Sequence, residues 1–398
     1  MMRILKTITV IVAISLVSIC YSDSILNIDN YGEPVDPLSA RLIAMGFVNV
    51  GLFDGRGFSH INPSAPSCSQ STVFTTTFYR NESTYNLGGV RSSRVIYNLP
   101  CITFDINLPF GGVLSFSYLN RYDWGYKVSK PIMEGEEKIG TAYGYGDGGV
   151  STYSAGYSID ITRLLVGGAI DYWYGDPKYI WTKEFTKDGY SDVRDVIEHR
   201  IKGVGFRLGA GFNSEKVDVG FYLRYPLECD MDRVISNVEG EIAEEDTSIR
   251  YPVVLGFGVS VKPVNTLTVG FDLINSRWAG FKIGGHTDGR LRNTTEYRLG
   301  IEFQPPLLKK RFILLRLPAR FGYYYRPWYS LGADGARYSE NGITFGTGLM
   351  FIENENSSID VAFQVGWRDG GELRENIYRL YLTFNGIEKW LGKYIEED

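Results

Sequence analysis

The side chains in this sequence with the most chemistry to offer are charged groups set in the middle of apolar stretches. Arg207, Arg224, Arg298, Arg316, Arg320 and Arg379 each stand inside a run that alternates apolar and polar residues. Comparable positions elsewhere hold Asp105, Asp171, Asp218, Asp272, Glu296, Glu302 and Asp360. A sheet face open to water usually carries Lys at such places. Arg suits a crowded, partly desolvated network, because its planar fork engages carboxylates two at a time. The pattern implies an enclosed polar interior laced with ion pairs. Catalysis finds no comparable support. His60, His199 and His286 are scattered, and no nucleophile or paired-acid motif accompanies them, so no enzyme is expected. Cys68, Cys101 and Cys229 are too widely spaced for a metal site or a disulfide framework; isolated thiols with at most one pair is the reading, and which would pair stays open. Nothing calls for a metal or a cofactor.

Strand alternation must position these charges. In "NTLTVGFDLINSRW" (265–278), Leu267, Val269, Phe271 and Leu273 alternate with Thr268, Gly270 and Asp272. That is the mark of a strand with one apolar and one polar face. The same holds where Tyr297, Leu299, Ile301 and Phe303 oppose Glu296, Arg298 and Glu302, and where Tyr378, Leu380, Leu382 and Phe384 oppose Arg379 and Thr383. Strands are predicted at 72–80, 98–108, 112–122, 150–160, 164–175, 201–212, 216–226, 250–261, 266–277, 294–304, 314–326, 342–352, 358–368 and 376–384. Each has the length a tilted strand needs to cross a bilayer, about 9–11 residues or slightly more. No helical-period segment intervenes, which excludes parallel βαβ units. Short connections (109–112, 160–163, 213–216, 262–265, 304–311, 353–357) alternate with mostly long ones (81–97, 123–149, 176–200, 227–249, 278–293, 327–341, with 369–375 shorter). Short turns on one rim and long loops on the other are the habit of outer-membrane barrels. The expected fold class is therefore all-β, an antiparallel transmembrane β-barrel of about 14 strands. Apolar side chains would face lipid, and Asp272 and its counterparts would face inward.

The bulk numbers agree. The chain of 398 residues is long enough for one large barrel, and a net charge of −5 gives no reason to expect nucleic acid. Aromatics at 14% and 46 Gly suit aromatic girdles and close strand packing. Tyr122, Trp124, Tyr126, Tyr172, Trp173, Tyr174, Trp278, Tyr323, Tyr324, Tyr325, Trp328, Tyr329 and Trp367 are expected at the outer membrane interface. Residues 1–22 read as a signal peptide: Arg3 and Lys6 precede an apolar run that is too short to span, with cleavage expected near 20–22. Export to the bacterial outer membrane follows. Residues 23–70 lack alternation and are expected to form a plug. Within them Asp36 reads as a helix N-cap, Pro37 as the first helical residue and Gly46 as the stop. The barrel is expected over 71–385. An amphipathic tail follows over 386–398, with Ile387, Trp390, Leu391 and Ile395 on one helical face.

The stretch "SARLIAMGFVNVGLFDGRGFSHINPSA" (39–65) resembles the N-terminal segment of FadL/TodX-type outer-membrane transporters and the related PorV-like barrels. Ala40, Arg41, Met45, Gly46, Asp54, Asn62 and Pro63 stand at matching places as a plug motif. Gly55 replaces a common second Asp, Ser64 a usual Ala, and Ala65 the Gly that normally follows. The resemblance implies a plugged barrel for passive uptake of hydrophobic small molecules such as long-chain fatty acids. They would pass from the outer loops to a lumen site and then sideways through the wall. Its implied partners are outer-membrane lipid and a hydrophobic ligand, without a cofactor. Tyr143, Tyr145, Tyr179, Trp181, Trp328 and Tyr329 would supply an apolar mouth. Arg207, Arg224, Arg298, Arg316 and Arg320 are the lumen candidates to meet a ligand carboxylate, against the competing use of Arg as a partner for nearby acids. The PorV-like side implies instead a scaffold in protein secretion or surface attachment, with a periplasmic or secretion partner. A general porin is the remaining alternative.

Overall fold

The computed structural model describes residues 24–55, 60–69, 71–87, 90–306, 316–332, 335–351 and 357–388. The expected signal peptide and all but the first residues of the expected tail lie outside these. In chain order the strands are β1 (Glu33–Pro34), β2 (Thr72–Leu87), β3 (Val90–Asn107), β4 (Val113–Asp123), β5 (Tyr126–Glu134), β6 (Glu137–Asp147), β7 (Gly149–Ile161), β8 (Leu164–Gly175), β9 (Lys178–Phe185) and β10 (Val193–Phe212). They continue as β11 (Val217–Pro226), β12 (Cys229–Asn237), β13 (Gly240–Arg250), β14 (Val254–Val264), β15 (Leu267–Ser276), β16 (Lys282–Ile283), β17 (Thr294–Phe303), β18 (Ala319–Leu331), β19 (Arg337–Phe351), β20 (Ser357–Gly370) and β21 (Leu373–Glu388). Fourteen of them form the wall in the order β2, β3, β4, β7, β8, β10, β11, β14, β15, β17, β18, β19, β20, β21, each antiparallel to the next. Strand β21 returns to pair with β2 and closes the ring.

Alternation builds this wall as the sequence predicts. In β17, Tyr297, Leu299, Ile301 and Phe303 are exposed, while Glu296, Arg298 and Glu302 are buried in the lumen. In β15, Phe271 faces out and Asp272 is fully buried. The predicted strand at 314–326 begins only at Ala319. Residues 314–315 lie outside the described residues, and Pro318, with no N–H to give a ladder, stands just before the strand begins. Arg316 consequently stands ahead of the strand, half-buried, and not in mid-strand.

Two expectations need correcting. Tyr172, Tyr174, Tyr323 and Trp367 do face outward, but Tyr122, Trp124, Tyr126, Trp173, Trp278, Tyr324, Trp328 and Tyr329 are buried. Successive strand residues point to opposite faces, so an aromatic run such as Tyr172–Trp173–Tyr174 supplies both surfaces. The expected long loops are also largely strands. β2 and β3 continue through most of 81–97. β5, β6, β9, the first half of β10, β12 and β13 pair in that order into a sheet that prolongs the wall at its long-connection end. With water on both faces, such a sheet needs no apolar alternation, and its sequence reads as loop.

The N-terminal segment fills the lumen at mid-height. Helix α1 (Ala40–Ala44) is wholly buried against β18 to β21. It starts after Ser39; Asp36 is not its cap but bonds to the wall, and Pro37 precedes the helix. Gly46 does end it, at φ 66°. Beyond it the segment lies in a groove made by absent side chains. Gly211, Gly220 and Gly258 are cross-strand neighbours, as are Gly270, Gly300 and Gly322. A Cβ on Gly220 would sit 1.9 Å from the Val50 carbonyl oxygen, and one on Gly322 would sit 1.9 Å from the Gly46 nitrogen.

Candidate functional site

Three ion clusters fasten this segment to the wall. In the first, Arg41 Nη1 donates to Asp54 Oδ1 at 2.9 Å and Arg41 Nε to Glu302 Oε1 at 2.9 Å. Glu302 also takes Arg320 Nε at 2.7 Å, and Arg320 Nη1 reaches Asp360 Oδ1 at 2.7 Å. In the second, Asp36 and Glu296 share Arg298 and Arg326, with Arg298 Nη2 at 2.8 Å from both acids. In the third, Glu33 accepts from Arg368 at 2.9 Å and from Arg379 at 2.8 Å, and Arg368 also serves Glu340 and Glu375. Burial by itself would raise the carboxyls of Glu33 and Asp36, but the facing guanidiniums outweigh it and hold both down at about 2. Hydrogen bonds to backbone groups of the segment supplement the ion pairs. Asp272 Oδ2 accepts the backbone N–H of Asn49 at 2.6 Å and of Val50 at 2.9 Å. Ala40 N donates to Thr383 Oγ1 at 2.7 Å.

Of the residues matched to the plug motif, Ala40, Arg41 and Asp54 take part in these contacts. Met45 lies against Gly300 and Gly46 against Gly322. Asn62 donates from Nδ2 to Val50 O at 2.9 Å and accepts from Ser64 through Oδ1, while Pro63 abuts Gly167. Of the five lumen candidates, Arg207, Arg298 and Arg320 are engaged with acids, and Arg316 lies off the strand. Arg207 and Arg224 are cross-strand neighbours that share a region with Arg121, which the sequence reading did not single out. Arg326, Arg368 and Glu33 were also missed. The strand positions of Arg326 and Arg368 carry the same in–out signal that marked the others, whereas Glu33 lies in the N-terminal segment, where no alternation points to it.

Above the plug, at the long-connection end, aromatic rings pack on one another. Trp278 and Tyr329 stack at 3.7 Å between centroids, Tyr122 and Tyr251 at 4.8 Å, and Trp173 and Tyr251 at 5.0 Å. Leu26 and Tyr31 of the N-terminal segment pack against this cluster, and Tyr329 Oη donates to Gly32 O at 2.8 Å. At the short-turn end lies a polar cavity of about 470 Å³, lined by Asp54, Asp160, Glu215, Lys262 and Glu302 among others.

The wall itself is interrupted beside the aromatic cluster. β3 and β4 pair only from Asn107–Val113 to Cys101–Leu119. Outward of that point, among the described residues, β3 keeps β2 alone as its partner. β4 instead takes β1, with Glu33 opposite Asp123 and Pro34 opposite Tyr122, and Val35 N donates to Arg121 O at 3.0 Å. The cause is local. Pro100 has no N–H for the ladder, and the β2–β3 register slips between Thr77 and Tyr79 at the same height. The side chains of Asn98 and Asp123 still meet across the break at 3.0 Å.

The profile of a family described as BamG matches residues 38–394. Solved structures of similar fold include a Pseudomonas aeruginosa FadL homologue, with TM-score 0.64 and 11% identity over 89% of this chain and 99% of that one. The Ralstonia pickettii toluene transporter TbuX gives TM-score 0.60 and 12% identity over 89% and 99%. The Pseudomonas putida toluene transporter TodX gives TM-score 0.56 and 15% identity over the same shares, 89% and 99%. At these identities the likeness is one of fold. No curated protein matches the chain at the level of sequence.

Proposed function

The chain belongs to the BamG family, and from that premise and the lumen geometry we propose that it is an outer-membrane barrel passing hydrophobic small molecules sideways through its wall. In this reading residues 1–22 are a signal peptide, 23–70 a plug, 71–385 the membrane barrel and 386–398 a tail, although β21 carries on to Glu388. One observation carries the proposal: the β3–β4 break opens beside a buried aromatic cluster, while the plug occupies the straight path below it. An apolar molecule entering among the rings would leave for the bilayer without crossing the ionised mid-lumen. The toluene transporters TbuX and TodX share the fold and add support. The narrower reading, a long-chain fatty acid, requires a cation for the carboxylate. Among the sequence candidates, Arg207, Arg224 and Arg298 each keep a buried N–H without an acceptor; Arg298 is already held by two acids, which leaves Arg207 and Arg224.

The test is a staple across the break. In a chain whose Cys68, Cys101 and Cys229 are changed to Ala, Asn98→Cys with Asp123→Cys would form a disulfide under oxidation. Uptake of labelled toluene and labelled oleate by cells should stop when the bond forms and return on reduction. Uptake indifferent to the bond would sink the sideways route. Oleate without toluene would select the fatty-acid form.

A second reading has its own observation. The sheet of β5, β6, β9, β10, β12 and β13 ends in strands with little pairing on their far sides: β13 meets β16 only at Ile249 and Arg250. Such an edge accepts a partner strand, and this supports the scaffold alternative. Co-purification of a stable partner that is lost when residues 229–250 are replaced by a short turn, with no hydrocarbon uptake, would favour it.

A further inference from the structure

The lumen clusters differ in charge. The clusters around Arg41, Asp36 and Glu33 hold at least as many acids as bases. Asp54, Glu302 and Asp360 face Arg41 and Arg320; Asp36 and Glu296 face Arg298 and Arg326; Glu33, Glu340 and Glu375 face Arg368 and Arg379. A fourth region, on β4, β8, β10 and β11, breaks this rule. Arg207 and Arg224 stand directly opposite each other on neighbouring strands, an arrangement of like charges that destabilises a sheet unless something offsets it. Arg121 is the third cation. Asp171 is the one carboxylate within ion-pair distance of any of the three among the described residues: Arg207 Nη2 lies 2.8 Å from it, and Arg121 Nη2 lies 3.9 Å away, too far for a hydrogen bond. Asp105, nearby, is taken by His60 at 3.0 Å and Ser115 at 2.6 Å.

The donors are left over as well. Arg207 Nη1, Arg121 Nη2 and Arg224 Nε are buried without a hydrogen-bond acceptor. Arg121 and Arg207 are each only 2% exposed. Arg224 donates to Tyr122 Oη at 3.1 Å and lies within 6 Å of the Tyr122 and Trp173 rings, which offset only part of its charge. Two buried guanidiniums and a half-buried third beside one carboxylate are unfavourable without a further negative charge. Arg207 also lines a small cavity with His60, Ser115, Ser117 and Ser154. Its volume of about 10 Å³ suits one occupant near the size of a water molecule. That size excludes a bulky headgroup or a polyatomic anion.

We propose that Arg121, Arg207 and Arg224 form a binding site for a small inorganic anion of the halide class, held between the plug and the base of the aromatic cluster. The site needs no hydrophobic ligand, so it stands or falls apart from the transport reading. Two measurements on the detergent-purified full chain test it. Crystals soaked in sodium bromide should show an anomalous peak beside Arg121 and Arg207. The thermal unfolding midpoint should rise saturably with sodium chloride or bromide but not with sodium gluconate at equal ionic strength. Arg121→Gln should abolish the halide dependence while leaving the gluconate midpoint unchanged or higher, since one uncompensated cation is gone. A purely structural Arg121 would lower the midpoint equally in every salt. Absence of the bromide peak, equal midpoints in chloride and gluconate, or a response to phosphate alone would each overturn the assignment. The bromide measurement needs no variant, so it decides even if Arg121→Gln fails to fold.

Discussion

Arg41 shows how a single residue couples the N-terminal segment to the wall. It reaches Asp54 within its own segment and Glu302 on β17, and Glu302 passes the contact to Arg320. Its cluster holds three acids and two bases, and that count ranks the substitutions. Arg41→Ala leaves two buried carboxylates and the half-buried Asp54 with Arg320 alone and should cost about 3–5 kcal/mol, the usual penalty for stranding a buried charge. Glu302→Gln brings the cluster to two acids and two bases, with Arg41 still on Asp54 and Arg320 still on Asp360. It should cost clearly less. Chemical denaturation of the two variants in detergent checks the order, and an equal or reversed ranking would count against the cluster as drawn. The sequence marked Glu302 as an inward-facing charge and Arg41 as a residue of the plug motif. It had no means of pairing them, because they lie 261 positions apart.

At the level of elements, the plug is held by what β10 to β18 lack. Gly322→Ala would drive a methyl group to within 1.9 Å of the Gly46 backbone nitrogen, a contact that backbone cannot yield to cheaply. The segment should lift from its groove, exposing 45–51 to added protease and raising the barrel's conductance in planar bilayers. Gly168→Ala is the matched control. Its nearest neighbour would be a Leu208 methyl carbon at 3.7 Å, ordinary contact distance, so neither readout should change. The high glycine content was legible from composition, but its use was not. Cross-strand register alone lines up Gly270, Gly300 and Gly322 on adjoining strands. Pro100 is the reverse case. A proline inside the predicted strand at 98–108 was a visible warning of a damaged ladder, and the structure places the wall's interruption there.

For the whole molecule, the clusters predict a pH dependence. Glu33 and Asp36 have carboxyls held at about 2, below an unfolded value of about 4. A lowered carboxyl stabilises the folded state fully above its unfolded value, and that contribution is lost as pH falls toward the folded value. The plug should therefore stay seated from neutral pH down to about 4 and loosen between about 4 and about 2. Conductance in planar bilayers should be low and steady at pH 7 and climb across that acid window. Asp36→Asn should shift the climb toward neutral pH. A barrel that stays closed down to pH 2 would show that the plug is held by packing without these charges.

The sequence by itself determined the number of wall strands, the inward or outward sense of most residues in them, and the division of connections between two rims. These depend on a period of two residues and on turn chemistry, both of them local. Only the tertiary structure decided which aromatics leave the lipid face for the lumen, that the long connections are mostly strand, where the plug's glycine groove runs, and that the β3–β4 seam takes β1 in place of its neighbour. It also decided that three cations gather where, among the described residues, Asp171 is the one carboxylate paired with them. These follow from ring closure and register, which bring together residues hundreds of positions apart and set each charge against partners that no local pattern can name.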